Sequence, residues 1–180
     1  MVTSERQIAS IALARELSEL IRTALHPSGF SGGPWTFHAD LPEVWMIVAV
    51  NRVRLPYGVG FTADLAVASK RILRKRNHNP NRPPSPVEWH RQHRLGSLIG
   101  DHTDRWWRVD ATMPQPARTR AMQDFAVSLS EGITSMMKYS TDDQLLATWA
   151  AEEARLAPIE RGWAADLTAE VSSERRPRGH

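Results

Sequence analysis

His90 and His93 stand three residues apart, and Asp101, His102 and Asp104 follow close behind. Imidazole nitrogens and carboxylates gathered this way are ligands for zinc or another divalent ion. A short helix over Val87 to Arg94 would put both imidazoles on one face, making His90, His93 and Asp101 the candidate metal ligands. The spacing matches no HExxH pattern and defines no further ligand. Surface positions in the run WHRQHR account for the same residues more simply. A second group lies just beyond. Arg94, Asp104, Trp106 and Trp107 are the candidate binding residues, because an aromatic floor beside a guanidinium fork suits anions, nucleobases or peptides. The plainer alternative is an Arg94–aspartate pair closing a turn, with one tryptophan inward and the other outward on a strand. A third group is basic. Lys70, Arg71, Arg74, Lys75 and Arg76 fall in a stretch, Ala66 to Val87, without an acidic residue. They are the candidate nucleic-acid contacts. No aromatic residue lies between Phe61 and Trp89 to stack on a base, so a solvated helix end and loop explains them as well.

Other chemistry is missing. With no cysteine there is no disulfide, thiolate nucleophile or sulfur-ligated metal. There is no GxSxG elbow, Walker loop or GxGxxG. Gly29, Gly32 and Gly33 are too close together and precede a strand rather than a helix. No cofactor is expected. The net charge of +3 is small, so only a weak general field for nucleic acid exists. The N-terminal stretch carries Glu5, Arg6, Arg15 and Glu16 and has no uninterrupted apolar core, and no window reaches about 18 apolar residues. A cytoplasmic protein with no membrane contact is the expectation.

These groups need elements to hold them. Ser4 and Gln7 have capping-box spacing, opening a helix with Leu13, Leu17, Leu20, Ile21 and Ala24 on one stripe. Pro27 and Gly29 should end it near His26. Trp35 to His38 reads as a short strand. The continuous apolar run Val44 to Val50 reads as a strand covered on both faces. Tyr57 to Leu65 alternates, as a half-exposed strand would, with Gly58 and Gly60 on one face allowing a close approach. The segment NHNPNRPPSP is a loop. Met122, Phe125, Ala126, Leu129, Ile133, Met136 and Met137 mark a long amphipathic helix. Thr141 and Gln144 cap another with Leu145, Leu146 and Trp149 inward. Ile159, Trp163 and Leu167 suggest a last helix.

This order predicts an α+β fold: a small, mainly antiparallel sheet of three to five strands packed against amphipathic helices. One domain over residues 1–156, an extra helix over 157–171 and a disordered tail over 172–180 are expected. The seven tryptophans are spread along the chain and read as core and groove material.

The run RLGSLIGDHTDRWWRVD, Arg94 to Asp110, carries a resemblance. Its Arg94-Leu95-Gly96 turn followed by Trp106-Trp107 resembles the mostly bacterial family known as domain of unknown function 4304, over roughly Leu20 to Trp149. The resemblance implies a compact α+β layout and no known activity. Taken with the missing catalytic motifs, the expectation is a non-enzymatic binding or interaction module for a protein partner or small ligand, of the immunity or antitoxin kind by analogy. The rivals are a metal-dependent enzyme built on His90, His93 and Asp101, and a nucleic-acid binder working through Lys70 to Arg82.

Overall fold

Leu13, Leu17, Ile21 and Leu25 recur every four residues and are all buried, which fixes the inner face of helix α1 (Glu5–Leu25). Leu20 and Ala24 flank that stripe half-buried. The helix passes into a single 3-10 turn at His26–Ser28 containing Pro27. Gly29, at φ +79°, caps that turn by donating its N–H to the His26 carbonyl. The computed structural model describes residues 5–100 and 104–175.

The six strands are β1 (Ser31–Gly32), β2 (Thr36–Asp40), β3 (Val44–Leu55), β4 (Gly58–Ser69), β5 (Arg91–Arg94) and β6 (Trp107–Asp110). They pair in the order β1-β2-β3-β4-β5, with β6 also on β4, in a mainly antiparallel sheet. The other helices are α2 (Lys70–Lys75), α3 (Leu95–Leu98), α4 (Gln115–Met136), α5 (Asp142–Ala151) and α6 (Pro158–Arg175). The fold is α+β, as the element order implied. Among the described residues, no helix is long and apolar enough to cross a membrane.

The chain forms two compact units interleaved in sequence. The first comprises the chain through Ala39, Ile47–Leu65 and His93–Ser135. Its core holds Leu17, Val48, Val50, Phe125 and Leu129, all buried. The strand expected to be half-exposed is buried along nearly its whole length. At its start the reason is its glycines. A Cβ on Gly58 would stand 2.0 Å from the Val109 carbonyl oxygen, and one on Gly60 would stand 2.8 Å from Val53 Cγ1. Neighbouring strands close over the bare backbone. Gly58→Ala must therefore push β6 off β4 or distort the hairpin, and should cost about 1–3 kcal/mol, read as a lowered denaturant midpoint. The strand expected to stop at Val50 continues to Leu55, so β3 and β4 are joined by Pro56-Tyr57 alone. On α4, Met122, Phe125, Leu129, Ile133 and Met136 are buried as the spacing required, while Met137 is 45% exposed. Met137 has left the helix for a 3-10 turn, which rotates it off the stripe.

The second unit comprises Asp40–Met46, Ala66–Gln92 and the chain from Met136 onward. Ser69 caps α2 by accepting from the Ile72 N–H. The capping box expected at Thr141 and Gln144 is present and opens α5. Helices α5 and α6 pack together, burying Trp149, Trp163 and Leu167; Ile159 is exposed. Arg91 ties them by pairing with Glu152 and, at 3.0 Å, with Glu160. The indole N–H groups of Trp89 and Trp149 are buried without a partner among the described residues. The proline-rich loop is pinned at two points. Trp45 donates its indole N–H to the Pro80 carbonyl, and the buried Glu88 carboxylate receives Arg82, His78 and both the N–H and hydroxyl of Ser85.

The helix expected over Val87 to Arg94 is absent. Ser85 and Glu88 form a capping box around Pro86, but the result is only a 3-10 turn. Trp89 is extended, and the His90 N–H goes to the Val67 carbonyl on β4. Sheet pairing overrides the local helix signal. At the other end, α6 runs through Arg175, four residues into the stretch read as a tail; residues 176–180 lie outside the described ones. Glu174 pairs with Arg71. Glu174→Gln should lower the melting temperature at low salt, with the difference closing as salt rises.

Candidate functional site

Adjacent residues on a strand point to opposite sides, and this separates the tryptophan pair. Trp107 opposes Phe61 in the β4–β6 register. Both face α4, where Phe125 meets Phe61 edge-on at 4.9 Å and Trp107 at 5.0 Å. The Trp107 indole N–H is satisfied by Asp124 Oδ2 at 2.7 Å, and the side chain is buried. Trp107 is thus a core residue with its one polar group bonded.

Trp106 is 41% exposed. It is nonetheless held. Its indole N–H donates to Asp104 Oδ2 at 3.1 Å. Arg94 Nε lies 3.2 Å from Asp104 Oδ1, and Arg94 Nη1 lies 3.3 Å from Asp64 Oδ1. Asn51 closes the chain by donating to Asp64 Oδ2 at 2.6 Å. The network therefore runs from β3 through β4 and the end of β5 to Trp106. Asp64, with 13% of its side chain exposed, is its most sheltered charge. A Cβ on Gly60 would lie 3.9 Å from Trp106 Cε3, so the ring rests beside bare strand backbone.

Beside Trp106 is an open groove of about 440 Å³. One wall is Arg105 to Arg108; the other is Ala117, Arg120, Ala121 and Asp124 of α4. Arg105 bonds Asp124 at 2.8 Å and lies 4.7 Å from the centre of the Trp107 ring. Among the described residues no ion pair involves Arg108 or Arg120, and both are exposed. Three guanidinium groups face one carboxylate, so the groove is cationic with an aromatic lip.

Of the four expected binding residues, the structure joins Arg94, Asp104 and Trp106 in one network and places Trp107 in the core. Arg94 pairs with an acidic group, as expected. Gly96 lies buried in α3 rather than in a turn. Sequence reasoning missed Asp64, Asn51, Arg108, Arg120 and Asp124. The available signals were Asp64 as the lone acid in the apolar run of β4, and Ala117, Arg120, Ala121 and Asp124 at helical spacing.

The proposed metal ligands fare differently. Without the helix, His90 and His93 do not share a helical face. His90 is buried against Trp163, and its Nδ1 accepts the Ser69 backbone N–H at 2.9 Å. Burial, helped by the positive charge of Arg76, pushes its pKa down to about 3. Asp101 lies outside the described residues. Among the described residues no group of three histidines and carboxylates is arranged to hold a metal.

The basic segment is largely neutralised by carboxylates. Lys70 pairs with Asp40, and Arg71 with Asp142 and Glu174. Lys75 pairs with Glu170 at 3.3 Å and Arg76 with Asp166 at 2.6 Å. Arg74 is exposed. Helix α6, downstream in sequence, supplies most of these acids, which reading the basic run alone could not reveal.

No curated protein and no solved structure matches the chain. A family model described as Domain of unknown function (DUF4304) matches residues 21–136, a span that contains the Trp106 network, the groove and all six strands. The chain belongs to the DUF4304 family.

Proposed function

We propose that this protein is a non-enzymatic, cytoplasmic binding module whose recognition residue is Trp106, flanked by Arg108 and Arg120. One observation carries the reading: an exposed tryptophan whose indole N–H is already fixed by Asp104, itself fixed by Arg94. Ordering a large side chain before contact lowers the entropic cost of binding. Tryptophan and arginine are the residues that most often dominate binding energy at protein interfaces. Immunity- or antitoxin-like inhibitors of a partner enzyme fall within this class.

Photocrosslinking in the native cell tests it. A benzophenone amino acid replacing Ala117, which lines the groove beside Trp106, should give one discrete adduct that Trp106→Ala removes, whereas the same group replacing Val127, which is 57% exposed on α4, should not. Arg94→Ala, by releasing Asp104, should weaken the adduct band without unfolding the protein. Identical adduct patterns at both positions would refute the reading.

A further inference from the structure

We infer that the groove beside Trp106 takes an extended, acidic segment of a partner protein, which adds as a strand to the free edge of β6. The inference rests on the binding-module reading above and specifies its ligand. Among the described residues β6 pairs with β4 alone. No turn or loop hydrogen bond among those residues involves the backbone of Trp107 to Val109. The edge therefore presents the repeating N–H and C=O groups that recruit another strand. Opposite it, Ala117, Arg120, Ala121 and Asp124 fall at steps of three, one and three on α4, so they form one helical face. Two of the four are alanines, which leave width for a peptide between strand and helix. A groove between an edge strand and a helix is the recurring geometry of strand-addition recognition, in which main-chain bonds give affinity and side-chain contacts give specificity.

The side-chain contacts here select for negative charge. Arg105 is engaged by Asp124. Arg108 and Arg120 are the guanidinium groups left facing the groove from its two walls. Side chains of an added strand alternate between faces, so carboxylates on its two faces meet Arg120 on the helix side and Arg108 on the other. Trp106, on the same face as Arg108, and the 45% exposed Val53, brought together over Gly60, add an apolar contact there. The fitting segment is thus acidic, with an apolar residue for Trp106.

A displayed library of short random peptides, selected on the whole protein, tests this. The enriched peptides should carry two or more Asp or Glu residues together with an apolar residue. Arg108→Glu/Arg120→Glu should weaken them about tenfold or more while leaving the melting temperature near wild type, since both positions are exposed. N-methylation of alternate peptide amides should abolish binding, and methylation of the intervening ones should not. Enriched peptides that need Trp106 but lack acidic residues, or that tolerate methylation everywhere, would overturn strand addition and leave the binding module standing. Retention of single-stranded oligothymidylate, lost in the double arginine variant, with no peptide enriched over Trp106→Ala, would overturn it in favour of nucleic acid. Neither peptide nor oligothymidylate binding would overturn both readings.

Discussion

Trp107→Ala will cost about 3–5 kcal/mol of stability, and Trp106→Ala, one residue away, less than about 1 kcal/mol. Trp107 is packed edge-on against Phe125, and its indole N–H bonds Asp124 at 2.7 Å. Truncation leaves a cavity between β6 and α4 and strips Asp124 of one of its two donors, the other being Arg105. Trp106 loses a partly exposed ring and one bond to the surface carboxylate of Asp104. Denaturant melts of the two variants, with fluorescence as the probe, give both numbers. A similar loss in both would mean that the pair is a structural unit and that the surface has no separate recognition residue.

Acidification will unfold the protein through His90. Its folded pKa is about 3 against an unfolded value near 6.5. The folded state holds the ring neutral, so its contribution to stability is complete above pH 6.5 and is lost progressively as pH falls through 6.5 toward 3. At about 1.4 kcal/mol per pH unit, that window amounts to about 5 kcal/mol for this one group. Asp142 works in the opposite sense. Burial raises its pKa, so its contribution is complete below the unfolded aspartate range and is lost as pH rises through the folded value. Urea midpoints measured between about pH 7.5 and 4.5 should fall with a slope of up to one proton. His90→Gln, which keeps an acceptor for the Ser69 N–H, should flatten the slope. An unchanged slope in that variant would show that other groups govern acid unfolding.

The sequence was readable wherever hydrophobic period and local capping agreed with the final packing. Leu13, Leu17 and Ile21 on α1, Phe125 and Leu129 on α4, and the Thr141–Gln144 box on α5 all follow from spacing alone. It misled where tertiary contacts prevailed. The run Val87 to Arg94 suggested a short helix, but the His90 N–H found β4, and the two histidines lost their shared face. The alternation of Tyr57 to Leu65 suggested a half-exposed strand, but β4 is buried along most of its length, and it is neighbouring strands that make the close approach Gly58 and Gly60 allow. The inward-outward split of Trp106 and Trp107 followed from strand alternation, but which of them turned inward did not. That depended on Phe61 across the register and on α4, both remote in sequence. Asp64 was invisible as a site residue because its role exists only once β3, β4 and β5 are side by side.

Fluorine NMR of protein labelled with fluorotryptophan tests the recognition role of Trp106 most directly. The resonances of Trp106 and Trp107 are assigned by substituting phenylalanine for each in turn. Before addition of ligand, the Trp106 line should show a large solvent isotope shift and the Trp107 line almost none, in keeping with 41% and 5% exposure. On titration with a selected acidic peptide, the Trp106 line should move and saturate while the Trp107 line stays in place. A Trp106 line that stays fixed while the peptide is bound elsewhere would contradict the account.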